Sequence, residues 1–207
     1  MKKAIIFDFD GTLADSLPAV IDVFCELTGR TEPYPDEQIA AYRHLSLGEL
    51  IRELGVPKWK IPVLLVKGRK MLEKHLKDIH PHPGIHKLLK ELQDRGERMY
   101  ILSSNSTENV NSYLQHHELD QYFKSVYGGV SILGKAPRLL KLIEKERVDL
   151  DSSWYVGDET RDVIAARAVK LKIASVTWGY NSREALAVKE PDLLVDTPAQ
   201  LLKGISG

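Results

Sequence analysis

Short apolar runs separated by amphipathic stretches set the pattern of this chain. Runs of strand length recur at Lys3 to Phe7, Arg98 to Ser103, Phe123 to Tyr127, Ser153 to Val156, Ile173 to Thr177 and Leu193 to Val195. Most are nearly continuous in their apolar character, as strands buried on both faces are. Helical spacing fills most of the gaps. Ile85 to Arg95 puts Leu88, Leu89 and Leu92 on one face and meets a C-terminal stop at Gly96. Thr107 to His116, Arg138 to Glu146 and Val163 to Val169 also read as helices. Strand and helix in alternation predict an α/β fold, a parallel sheet flanked by helices on both faces.

The stretch from residue 15 to residue 82 breaks the alternation. Leu17 to Leu27, Asp36 to Tyr42, Leu47 to Leu54 and Ile61 to Lys77 all suit helices, with Gly29, Pro33, Pro35, Gly55 and Pro57 between them. This predicts a helical insertion after the first strand. Pro81-His82-Pro83-Gly84 is a stiff connector returning the chain to the core.

Composition narrows the function classes. A chain of 207 residues with 43% apolar content fits one large domain or a core with a small insertion. Lys plus Arg and Asp plus Glu are both 29, so no net positive field argues for nucleic acid or an anionic membrane as partner. The single cysteine, Cys25, rules out an internal disulfide framework. The apolar stretch Ala4 to Phe7 is too short for a signal peptide, and no run approaches the ~20 residues of a membrane span. A cytoplasmic enzyme, monomer or homodimer, is the expectation.

The first strand delivers Asp8 and Asp10 onto Gly11, and strand alternation predicts that the two carboxylates share a side. Two such acids repel by up to ~4 kcal/mol at a separation near 4 Å, so the pair needs a metal ion, a cation or a shared proton. A second acidic group, Asp158, Glu159 and Asp162, follows the apolar run Trp154 to Val156, and Lys135 lies between the two groups in sequence. In parallel sheets ligands bind beyond the carboxyl ends of the strands. Asp8, Ser104 and Asp158 each stand where a strand candidate ends, so three distant segments are expected to converge there. Carboxylates with one lysine point to phosphoryl transfer assisted by Mg2+.

The four groups Asp8-Phe9-Asp10-Gly11-Thr12, Ser104-Asn105, Lys135 and Gly157-Asp158 with Asp162, in this order, resemble the motifs of the haloacid dehalogenase-like hydrolase superfamily. The segment Val176 to Ser182 further resembles its phosphoglycolate-phosphatase-like branch. The resemblance implies a Rossmann-like core of residues 1–14 and 83–207 and a helical cap of residues 15–82. It implies a Mg2+-dependent phosphatase acting on a small phosphorylated metabolite, with Asp8 as nucleophile and Asp10 as general acid and base. Asp8, the Asp10 carbonyl, Asp158 and Asp162 are implied as the metal site. Ser104, Lys135 and the backbone N–H groups of Phe9 and Asn105 are implied for the phosphate, Lys135 also offsetting charge on the nucleophile.

Several plainer readings stand beside these. Asp158 also reads as a helix N-cap and Asp162 as a first-turn acid, and Ser103 competes with Ser104. His80, His82 and His86 fit no familiar zinc spacing and read as a solvated connector. The cations from Lys58 to Lys77 read as a solvated helix face, while Arg43 and His44 are candidates to meet the polar end of a substrate. Two departures from the family pattern are Ala136 between Lys135 and Pro137, and Lys170 where glycine is usual. A pyrophosphatase or nucleotidase, a phosphosugar mutase, and a metal- or phosphate-binding module without turnover are the alternatives.

Overall fold

The computed structural model describes residues 2–57, 59, 61–76, 78–129 and 134–205. Six strands, β1 (Ala4–Phe7), β2 (Arg98–Leu102), β3 (Phe123–Tyr127), β4 (Trp154–Gly157), β5 (Lys172–Val176) and β6 (Leu193–Val195), form one sheet in the order β3-β2-β1-β4-β5-β6. Every neighbouring pair is parallel. The six predicted strands are all present, and their ends differ from expectation by no more than a residue.

The apolar continuity of β1 has a direct cause in this order. As a central strand it buries all four residues, and alternation divides them between two cores. Ile5 and Phe7 pack with the apolar faces of α5 (Ile85–Asp94), α6 (Thr107–His116) and α10 (Pro198–Gly204). Ala4 and Ile6 pack with α7 (Lys135–Glu146) and α8 (Thr160–Ala168) on the opposite face. Leu88, Leu89 and Leu92 are buried as their spacing predicts, and Gly96 follows α5 with φ of 73°.

Among the described residues, four α-helices stand between β1 and α5: α1 (Leu17–Thr28), α2 (Asp36–Arg43), α3 (Leu47–Glu53) and α4 (Ile61–His75). A capping box between Ser46 and Glu49 starts α3. Two short helices, α9 (Arg183–Ala187) and α10, were not visible in the apolar pattern. On α4, Lys67 and Lys70 are exposed, whereas Lys58, Lys60 and Lys77 fall outside the described residues. No helix among the described residues is long and apolar enough to cross a membrane. The connector is less solvated than expected: His82 is buried beside the Trp178 ring, and its N–H donates to the Leu13 carbonyl at 3.0 Å.

Candidate active site

Asp8 continues the side of β1 that Ala4 and Ile6 face, its N–H still bonded to the Val156 carbonyl at 2.8 Å. Beyond it the strand has ended, so alternation does not place Asp10. A turn does: Leu13 and Ala14 donate to the Phe9 carbonyl at 2.9 and 3.1 Å, and Gly11 has φ of 77°. Any side chain at Gly11 is excluded twice, by that backbone conformation and because its Cβ would come within 2.2 Å of Asp158 Oδ2. The turn leaves the Asp10 carboxylate partly exposed, accepting a hydrogen bond from Asn105 Nδ2 at 3.3 Å.

Lys135 opens α7, three residues earlier than the start expected at Arg138. The first helical N–H groups have no intrahelical acceptor, so Pro137 costs nothing in the first turn. The lysine ammonium pairs with Asp8 and, at 2.6 Å, with Asp162 Oδ1, and the three side chains are all but sealed from solvent. Asp162 lies in the first turn of α8, where its Oδ2 accepts the Glu159 N–H at 3.0 Å. Its capping and its ion pair therefore coexist on separate oxygens. Asp158 is not the N-cap, which is Glu159. Its Oδ1 accepts from the Thr12 hydroxyl and its Oδ2 from the Tyr180 N–H, both at 2.7 Å. Oxygens of Asp8, Asp158 and Asp162 lie within 4.8 Å of one another. The Asp10 carboxylate is outside that group.

Charge at the cluster is out of balance. Burial raises the Asp8 carboxyl from 3.8 to about 7, against the lowering effect of Lys135. Burial also pushes Asp158 well above the ordinary range, with Glu159, Asp8 and Asp162 adding to the shift. For Lys135, burial alone disfavours the charge, yet Asp162 and Asp8 outweigh it and hold the ammonium well above the usual lysine value. Burial raises Asp10 too, opposed by hydrogen bonds from Asn105 and Ser16. Lys135 pairs with Asp8 and Asp162 but not with Asp158, and the oxygen-only donor set of the three acids suits a hard divalent cation.

At the end of β2 the two serines diverge. Ser103 is fully buried and its Oγ accepts the Asn105 N–H at 2.9 Å, whereas Ser104 lines the cavity. The Phe9 N–H likewise bonds locally, to Asp8 Oδ1 at 2.8 Å. Asn105 Oδ1 accepts from Ser106 N–H and Asn109 Nδ2, which leaves its Nδ2 for Asp10.

A cavity of about 350 Å3 opens above these groups. Asp10, Ser104, Asn105 and Arg161 form its polar floor, and Phe24, Tyr42, Ile51 and Leu54 stand among its largely apolar walls. Arg161 pairs with Glu159. Arg43 does reach across from α2 to the core, but its guanidinium donates to main-chain carbonyls, those of Thr177, Gly179 and Tyr180 at 3.1, 2.9 and 3.2 Å. His44 Nδ1 is 2.9 Å from Ser182 Oγ. Thr12 and Tyr180 lie in segments that the sequence singles out, but their contacts with Asp158 and the Arg43 anchor were not read from it.

Comparison with known proteins agrees with this architecture. Residues 5–176 match the family model described as haloacid dehalogenase-like hydrolase. A phosphoglycolate phosphatase of Synechococcus elongatus is 38% identical over 206 residues, covering 99% of this chain and 97% of the relative. One from Vibrio vulnificus is 29% identical, covering 97% and 94%. A predicted phosphatase from Clostridium acetobutylicum, 22% identical, shares the fold with a TM-score of 0.84, covering 100% of this chain and 99% of that one.

Proposed function

The chain belongs to the haloacid dehalogenase-like hydrolase family, and we propose that it is a Mg2+-dependent phosphatase of small phosphomonoesters, with phosphoglycolate the first substrate to try. The observation that carries this reading is the juxtaposition of Asp8, Asp158 and Asp162 with Lys135, while Asp10, Ser104 and Glu159, from the ends of β1, β2 and β4, line a cavity. The similarity to phosphoglycolate phosphatases along almost the whole chain favours the substrate.

Asp8, the Asp10 carbonyl and Asp158 are the groups that would hold Mg2+, with Asp162 supporting it directly or through water. When bound, the ion supplies positive charge against the carboxylates and the phosphoryl oxygens. Asp8 attacks phosphorus and the bond to the leaving oxygen breaks, giving an aspartyl-phosphate. Asp10, which burial keeps disposed to hold a proton, donates it to that oxygen. The same carboxylate then takes a proton from the water that hydrolyses the intermediate. Lys135 restrains Asp8 and offsets charge on the phosphoryl group, and Ser104 donates its hydroxyl to a phosphoryl oxygen. The N–H groups of Phe9 and Asn105 serve the phosphate by exchanging their local acceptors for it.

In the same reading, residues 15–82 are a cap on a core of residues 1–14 and 83–207. Two adjoining crossings support that boundary: Asp15 N–H donates to the His80 carbonyl at 2.9 Å, and Ala14 bridges Pro81. A cap over the site excludes water and selects small substrates, consistent with a cytoplasmic metabolite as partner. The test is phosphate release with Mg2+ across small phosphoesters, pyrophosphate and nucleotides, with Asp8→Asn as blank. A preferred monoester hydrolysed far above the blank is expected. Release at blank level throughout contradicts the assignment.

A further inference from the structure

The segment from Thr177 to Ser182 is bound on two sides. Toward the core, Tyr180 N–H donates to Asp158 Oδ2 at 2.7 Å and Asn181 N–H to the Asp158 carbonyl at 3.3 Å. Gly179 lies so close that a Cβ there would meet Asp158 Oδ2 at 2.3 Å. Toward the helical insertion, the Arg43 guanidinium holds three carbonyls of the same segment. The contact is reciprocal: Ser182 N–H donates to the Arg43 carbonyl at 2.8 Å, and Asn181 Nδ2 to the carbonyls of Arg43 and Leu45 at 3.1 and 2.9 Å. Asn181 Oδ1 meanwhile accepts the Thr160 N–H at the start of α8, the helix that carries Asp162.

We propose that Arg43 and Asn181 form a latch through which docking of the α2–α3 corner on the core and cation binding at Asp158 support each other. This rests on the reading of Asp158 as a metal ligand. Arg43 lines the edge of the cavity, but its guanidinium is engaged by main-chain carbonyls, so in this account it is a positioning residue. With the latch closed, the carbonyls on either side of Tyr180 N–H are fixed, and with them the donor that orients Asp158. With the latch open, the segment is tied to the core alone and that orientation loosens. Because coupling is reciprocal, a cation at Asp158 holds the corner docked.

The direction of the effect separates the latch from simple electrostatics. Removing a cation near an acidic site tightens Mg2+ binding if charge alone matters, whereas removing the latch weakens it. The experiment is Mg2+ titration calorimetry on the full chain with Arg43→Met, which keeps an apolar stem, and Arg43→Lys, together with amide hydrogen exchange with and without Mg2+. In the wild-type protein Mg2+ is expected to slow exchange of the Ser182 amide. Arg43→Met is expected to weaken Mg2+ binding by about fivefold or more, the low end of site-to-site coupling, and to abolish that slowing. Arg43→Lys recovers part of both. Should Arg43→Met fail to fold, Asn181→Ala reads the coupling from the core side, with the same weakening expected. Unchanged or tighter binding by the folded latch variant overturns the coupling and leaves the metal site standing. No Mg2+ binding by the wild-type protein overturns the metal reading and the coupling with it.

Discussion

The acidic cluster and the helices above it are built by opposite rules. Asp8, Lys135, Asp158 and Asp162 are buried, each with its carboxylate or ammonium held by named partners from distant segments. Helices α2 and α3, by contrast, bury no residue, and their apolar side chains face a cavity instead of a packed interior. The difference teaches where rigidity is invested. Phosphoryl transfer asks chiefly for positioning and fixed charge, which a close-packed sheet end supplies. Admission of substrate asks for an element that can part from the core, which needs few buried contacts. The insertion is anchored to the core by polar bonds around Arg43 and Asn181 and, where the chain leaves and re-enters the core, by the Ala14–Pro81 bridge and the His82 N–H to the Leu13 carbonyl.

The largest effect that sharpens this contrast lies within the cluster. Lys135→Met leaves Asp8 and Asp162 without their buried cation, so destabilisation of about 3–5 kcal/mol is expected by denaturant unfolding of the metal-free protein. Loss of turnover by roughly 10²-fold or more accompanies it. A Lys135→Met protein as stable and active as the wild type breaks the picture of a cluster held together by its buried lysine.

Next in size is a matched pair of truncations. Leu89, fully buried on α5, should cost about 2–5 kcal/mol when changed to Ala. Ile51, half-buried at the cavity wall, should cost about 1 kcal/mol or less and act chiefly on KM. Equal losses in the two variants show the insertion to be packed as tightly as the core.

The Asp8 carboxyl gives a pH signature. An acid raised from 3.8 to about 7 keeps its proton in the folded state and loses it on unfolding, so its effect on stability is unfavourable over that interval. The penalty is absent below 3.8, grows as pH rises and levels off above about 7. Asp8→Asn removes it. In the metal-free protein the variant is therefore expected to gain stability relative to wild type progressively from pH 4 to pH 7, as thermal unfolding across that range would read. A difference that is flat with pH places the Asp8 proton elsewhere.

The smallest effect is far from the site. Lys170 has φ of 59° just after α8, and the N–H groups of Lys170 and Leu171 close on the carbonyls of Arg167 and Ala166. This is the helix-ending motif that glycine serves best. Lys170→Gly relieves the left-handed backbone, partly offset by the greater freedom of unfolded glycine, and should stabilise by about 0.5–1 kcal/mol in chemical unfolding. No change in activity is expected.

Most of the architecture was legible in the sequence because strands buried on both faces announce themselves as apolar runs. Where reading failed, the cause is specific. The helix expected from Arg138 begins at Lys135, because the first turn of α7 has no hydrogen bond for Pro137 to break. Helices α9 and α10 each bury a single residue, Leu186 and Leu201, and so show no apolar period. Asp10 was placed by strand alternation, while the structure places it by the Gly11 turn. The ends of β1, β2 and β4 were identifiable as the site because their polar residues follow apolar runs directly. Thr12, Gly179 and Tyr180 were not, since their contacts with Asp158 depend on sheet order and main-chain approach. Arg43 was expected to meet a substrate, and its hydrogen bonds to three carbonyls could not be foreseen from a lone arginine at a helix end.

The most direct test of the account is to quench the enzyme in acid during turnover of a radiolabelled phosphomonoester with Mg2+ and to locate the label by peptide mapping. Label on the peptide carrying Asp8, absent from Asp8→Asn, is the predicted result. Turnover that proceeds in Asp8→Asn, or label found on another residue, contradicts nucleophilic catalysis by Asp8.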